Sequence, residues 1–195
     1  MADSAFFLFL DTETDGNGSF REPFSQTVVQ VSWTLTDRSG QIVARFTSFV
    51  KGAVHLQFNP NNWTLEQINS EGLTPLEARN RFIEAVNCVN RNDGYVVAHN
   101  IEFDMLAMQS LGVPLSLFKK PFCTKTHTTL ICCIPTKYGF KWPRQVELYQ
   151  FLFPNRAAQQ SHDAGEDVNM LMENFFECVR RAQDGEPKYF AFSTL

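Results

Sequence analysis

The sequence predicts an α/β chain with a mixed five-stranded sheet and helices on both faces. Three observations predict it. Residues 5–50 hold three apolar runs parted by turn residues, as in a hairpin-linked meander. Residues 94–129 hold two further short strands, each followed by a helical pattern, and such alternation makes parallel strands. A stretch from about residue 163 to 182 repeats apolar residues at helical spacing.

The elements follow in order. "AFFLFLDT" reads as a fully buried strand, and Gly16, Gly18 and Pro23 make residues 15–26 a loop. "VVQVSWTLTD" alternates, with Val29, Val31, Trp33 and Leu35 on one face. "DRSG" is a turn and "QIVARFTSFV" a third strand. Residues 52–63 are irregular, and a short helix starts from Thr64. Thr74, Pro75 and Glu77 then form a capping box with proline in the first turn. Leu76, Phe82, Ile83, Val86 and Val89 fall near one face of that helix. "GYVVAHN" is a strand, followed by a helix through "FDMLAMQSLG" that stops at Gly112. "PFCTKTHTT" reads as the fifth strand, with a helical stretch from about Thr128 to Cys133. "WPRQVELYQFLF" offers Val146, Leu148, Tyr149 and Leu152 to the core. The last helix, from about Asp163 to Ala182, offers Val168, Leu171, Met172, Phe175 and Val179. The tail from residue 184 has no regular pattern, and its aromatics are expected to dock on the body.

A length of 195 residues suits one domain, and 44% apolar residues with 19 phenylalanines predict a sizeable core, much of it aromatic. A net charge of −4 argues against a broad grip on nucleic acid, while leaving room for a nucleic-acid strand held in a small metal-containing site. Five cysteines, with Cys132 beside Cys133, make a poor disulfide framework and point to an intracellular, reducing compartment. The opening "MADSAFFLFLD" is expected to be neither signal peptide nor membrane anchor.

The chemistry lies in the acids. Asp11 and Glu13 stand two apart where an apolar strand ends, so both project to one face. Strand ends are the usual ligand edge of such sheets. Paired anions there repel and raise one pKa. A hard divalent cation removes the conflict, because Mg²⁺ and Mn²⁺ prefer oxygen ligands. Asp104 begins a helix just past "YVVAH", and Asp167 lies one turn into the last helix. If Asp163 caps that helix and Glu166 closes a capping box, His162 falls outside it, free to swing. Each motif alone also has a plain reading: a solvated edge, a loop capped by Asn100, an ordinary helix start. The combination and its order favour a site.

In "FLDTETDG", "VVAHNIEFD" and "SHDAGEDVNML" the sequence resembles the DEDDh (DnaQ-like) family of 3′–5′ exonucleases, within the RNase H-like superfamily. "KWPRQVELYQFLF" is similar to that family's helix before the third motif, and the match runs from residue 6 to about 180. The resemblance implies an RNase H-like sheet of three antiparallel and two parallel strands, and one exonuclease domain over residues 1–195. It implies that Asp11, Glu13, Asp104 and Asp167 hold two Mg²⁺ or Mn²⁺ ions and that His162 is the general base. An imidazole, with an ordinary pKa of about 6.5, accepts a proton at neutral pH. It implies that Thr14 contacts the terminal nucleotide and that Phe103 lies against bound bases, with core packing an equal reading for Phe103. The implied reaction takes single-stranded nucleic acid, DNA ahead of RNA, from its 3′ end to nucleoside 5′-monophosphates. An RNA-directed exonuclease, a catalytically silent 3′-end-binding module, and delivery of substrate by a polymerase or other complex stay open.

The sequence departs from the family at Asp15 and Asn17, where members often carry threonine and a leucine that wedges between bases. Either the wedge is lost or Phe20 or Phe24 supplies it. "DTETDG" is also similar to the nucleophile strand of haloacid-dehalogenase phosphatases, but no catalytic lysine or later acid pair accompanies it. His55, His99 and His127 show no zinc spacing with the cysteines and read as core or surface residues.

Overall fold

The computed structural model describes residues 4–16, 19, 25–186 and 188–190. β1 (Phe7–Thr14), β2 (Val28–Thr36) and β3 (Ile42–Phe49) form the antiparallel meander. β4 (Tyr95–Ala98) pairs parallel with β1, and β5 (Pro121–Cys123) pairs parallel with β4. The sheet order is β3-β2-β1-β4-β5, so the strand ending in Asp11 and Glu13 lies in the middle. The connections carry α1 (Leu65–Glu71), α2 (Pro75–Arg91) and α3 (Ile101–Ser110). After β5 come α4 (Thr124–His127), α5 (Thr129–Cys132) and a small hairpin of β6 (Pro135–Thr136) with β7 (Gly139–Phe140). α6 (Gln145–Leu152) and α7 (Ala164–Gln183) close the chain.

Alternation along β1 sorts the two cores. Leu8 and Leu10 enter the cluster built with Phe82, Val86 and Val89 of α2 and Ala107 and Met108 of α3. Phe7 and Phe9 enter the opposite cluster with Val168, Leu171 and Phe175 of α7. Helices therefore cover both faces, as the sequence predicts. The phenylalanine count is spent largely on the α7 side. The Phe175 ring meets Phe7 at 4.9 Å, Phe9 at 5.2 Å and Phe122 at 5.7 Å, all edge-on. Such pairs add about 0.5–1.5 kcal/mol each beyond area burial. In the tail, Tyr189 is buried and Phe190 packs against two clusters, as expected of docked aromatics.

Four expectations change. The fifth strand stops at Cys123 instead of running through Thr129. The threonines that follow hydrogen-bond their own helix: Thr128 Oγ1 donates to Thr124 O (2.7 Å) and Thr129 Oγ1 to Lys125 O (3.0 Å). This back-bonding lets a β-branched run turn helical. Leu76 is 58% exposed, because Pro75 places it in the first turn, off the buried face. β2 is buried along both faces, since α7 covers its polar side. The last helix has Asp163 as its cap, accepting from the Gly165 and Glu166 amides, but Glu166 closes no box.

Candidate active site

Asp11, Glu13, Asp104, His162 and Asp167 line one cleft of about 180 Å³ at the C-terminal end of β1. They arrive from three places: β1, the start of α3 and the start of α7. Odd positions of β1 face α7, so Asp11 and Glu13 extend the row of Phe7 and Phe9 beyond the apolar core. Asp167 leaves the first turn of α7, one turn after its cap Asp163. Asp104 comes from the first turn of α3, on the other side of the sheet. The even-numbered Thr12 reaches it: Thr12 Oγ1 donates to Asp104 Oδ1 at 2.9 Å. Glu13, His162 and Asp167 each bring a ligand atom within 4.8 Å of one another.

The carboxylates are crowded and poorly solvated. Burial, followed by the charges of Asp104, Glu13 and Asp167, holds the Asp11 carboxyl well above the usual carboxylate range. Glu13 is pushed up to about 8, first by burial and then by Asp167, Asp104 and Asp163. Asp104 rises to about 7 through burial, against the opposing hydrogen bond from Thr12. Asp167 is raised by burial, against the Gln160 amide and the charge of His162. Repulsion helps raise Asp11, Glu13 and Asp167, as the sequence argument expects, but removal from water is the larger cause.

Three glutamines, none singled out by the sequence, hold the cleft in shape. Gln30 of β2 grips the start of α7 with both ends of its amide. Its Nε2 donates to Asp163 Oδ2 at 2.9 Å, and its Oε1 accepts from the Ala164 amide at 2.7 Å. Gln30 is directly across the ladder from Glu13, so one strand pair sets Glu13 and α7 together. Gln145 Nε2 donates to the Asp167 carbonyl at 2.7 Å, fixing α6 to the same turn. Gln160 Nε2 donates to Asp167 Oδ2 at 3.3 Å. The signals for these residues are long-range pairings, invisible to local spacing.

His162 precedes the cap Asp163, where the sequence expects it. Its backbone is left-handed at φ 54°, Asn61 Nδ2 donates to its carbonyl at 2.7 Å, and its ring meets the edge of Phe58 at 5.1 Å. Gly16 keeps that loop close: a Cβ there would lie 2.6 Å from Phe58 Cβ. Among the secondary expectations, Phe103 is half-buried and lines the cleft. Thr14 is buried with its hydroxyl donating to Gln26 Oε1 at 2.6 Å. Asp15 accepts from the Thr27 amide and ties the loop ends together. The wedge candidates Phe20 and Phe24, and Asn17 in the leucine's place, lie outside the described residues. His99 bonds Thr124 and the Pro143 carbonyl, and burial lowers it to about 4, while His127 stacks on Phe122. His127 packs as the sequence reading expects, while His99 is buried but also lines the cleft. All five cysteines are free thiols, and no helix among the described residues is long and apolar enough to cross a membrane.

No family model and no curated protein matches the chain. Solved structures do. Escherichia coli exonuclease I in complex with a dA16 oligonucleotide superposes with a TM-score of 0.68 at 14% identity, over 92% of this chain and 42% of that one. The zinc-bound form of the E. coli exonuclease I–single-stranded DNA complex gives 0.68 at 16% identity, over 93% and 41%. A moderately thermophilic exonuclease I from Methylocaldum szegediense gives 0.66 at 17% identity, over 92% and 41%. The chain thus has the fold of these exonucleases and spans about two-fifths of their length.

Proposed function

We propose that this chain is a two-metal-ion 3′–5′ exonuclease acting on single-stranded nucleic acid, DNA ahead of RNA, over one domain of residues 1–195. The observation that carries the reading is the gathering of four acids and His162, drawn from β1, α3 and the start of α7, along one cleft wall. Two features fit a cation pair there. The donor set is carboxylate oxygen, which hard divalent ions favour. Asp167 Oδ1 is buried and has no hydrogen-bond partner among the described residues, a costly state for an acceptor unless something else satisfies it. Asp11, Glu13, Asp104 and Asp167 would hold the ions. When bound, Mg²⁺ or Mn²⁺ neutralises the crowded carboxylates, acidifies an attacking water and offsets charge on the departing 3′ oxygen.

The chain's own groups supply the rest. His162 accepts the proton of the attacking water, aimed by the Phe58 edge and the Asn61 contact. Thr12, Gln145 and Gln160 fix Asp104 and Asp167, so the acids do not reorganise as charge develops. Phe103 offers a ring to a terminal base. The products are nucleoside 5′-monophosphates, released from a free 3′ end.

The test is incubation with uniformly labelled single-stranded DNA, single-stranded RNA and a 3′-blocked strand in Mg²⁺. The expected result is 5′-monophosphates from free 3′ ends alone, with the DNA:RNA rate ratio giving the preference. Tight 3′-end binding without turnover in Mn²⁺ would replace the proposal by a silent binding module.

A further inference from the structure

Charge is unevenly distributed along this acidic chain. Between Asp104 and Glu147 there is no acidic residue, yet six lysines and arginines: Lys119, Lys120, Lys125, Lys137, Lys141 and Arg144. Three of them are ion-paired, Lys120 with Asp93 and both Lys141 and Arg144 with Glu147. Lys125 and Lys137 form no ion pair among the described residues. Each instead lies over an aromatic ring, Lys125 at 4.5 Å from Trp142 and Lys137 at 4.6 Å from Tyr138.

Those rings are exposed. Tyr138 is 87%, Trp142 62% and Phe140 50% accessible, all within or just after the β6–β7 hairpin. Three exposed rings grouped on one short hairpin and rimmed by cations mark an interaction surface. The hairpin is also joined to the cleft. His99 and Asn100 line the cleft, and His99 meets the carbonyl of Pro143, the residue after Trp142, at 3.0 Å. Asn100 Oδ1 accepts from Lys125 Nζ. The rim of rings and cations therefore begins where the cleft wall ends.

We propose that the β6–β7 hairpin, through Tyr138 and Trp142 with Lys137 and Lys125, is a platform for the single strand leading into the cleft. Bases stack on the two rings, and the lysines meet the backbone phosphates. The inference rests on the nuclease reading for the strand's direction, but not for its binding. Stacking tolerates any base, and the charge suits DNA and RNA alike. The remaining surface carries the acidic excess, so a strand is drawn to this rim and not spread over the protein.

The experiment is fluorescence anisotropy of the full chain with 5′-labelled dT4, dT12 and rU12 in EDTA, where neither metal nor turnover enters. Wild type is expected to bind dT12 and rU12 more tightly than dT4. Trp142→Ala and Tyr138→Ala should each weaken dT12 by about 5- to 150-fold, the range for one lost base–ring stack, and flatten the dependence on length. Lys137→Ala should lower the log–log salt slope by about 0.7. Tyr138 is almost fully exposed, so its variant should keep the wild-type melting temperature even if Trp142→Ala disturbs Pro143. Unchanged dT12 affinity in Tyr138→Ala, or no dT12 binding by wild type, overturns the platform and leaves the hairpin as a protein-facing surface. Length-dependent binding with no hydrolysis in Mg²⁺ would count against the nuclease reading alone.

Discussion

Gln30→Leu should loosen the proposed metal-binding corner from a distance. Gln30 is buried and its amide makes two bonds to the start of α7: one donated to the Asp163 carboxylate at 2.9 Å, one accepted from the Ala164 amide at 2.7 Å. A bond to a charged group is worth about 1.5–3 kcal/mol and a neutral one about 0.5–1.5 kcal/mol. Leucine keeps much of the bulk and removes both, so unfolding in urea should show a loss of about 2–4 kcal/mol. Asp167 lies one turn beyond this grip, and displacing a catalytic group by about 1 Å can cost 10²-fold. Turnover of labelled single-stranded DNA in Mg²⁺, at a temperature where the variant is still folded, should fall by that order. Gln30→Glu keeps the acceptor for Ala164 but sets a second carboxylate against Asp163, and should lose comparable activity. Stability within about 0.5 kcal/mol of wild type together with full turnover in Gln30→Leu would refute the reasoning.

Three further outcomes are expected. Asp167→Asn should abolish nuclease activity yet raise the melting temperature in EDTA, because it removes one of the repelling buried charges; a lowered melting temperature would contradict the repulsion. Glu13 and Asp104 titrate at about 8 and about 7 in the fold, above their ordinary values, so their stabilising share is complete below about pH 4 and is lost as pH rises through 7 and 8. In EDTA the melting temperature should drop across that window, and added Mg²⁺ should restore more at pH 8 than at pH 6; a flat profile would show the acids to be already neutralised. His162→Ala should lower kcat by about 10²–10⁴-fold while oligonucleotide affinity changes little, and a change confined to KM would remove the imidazole from the proton transfer.

Much of this architecture was legible because local patterns carried it. A continuous apolar run located β1, period-two alternation located β2, the Thr74–Glu77 box located α2, and the spacing of Val168, Leu171 and Phe175 located α7. The acids at positions 11, 13, 104 and 167 were legible as a group because each sits at an element's end, where the local pattern changes. Contacts between distant segments were not. Gln30 meets Ala164 across 134 positions and Thr12 meets Asp104 across 92, and no spacing rule connects them. The fifth strand was overrun because β-branched threonines suit a strand as well as a back-bonded helix. The neighbours of His162, Asn61 and Phe58, lie in a stretch that reads only as irregular.

Counting bound Mn²⁺ tests the whole account most directly. Titration of the chelator-treated chain, followed by electron paramagnetic resonance with a nucleoside 5′-monophosphate present, should find two ions per chain in the wild type and fewer in Asp11→Ala. A chain that takes up no Mn²⁺ at millimolar concentration, or an Asp11→Ala variant that still takes up two, would contradict it.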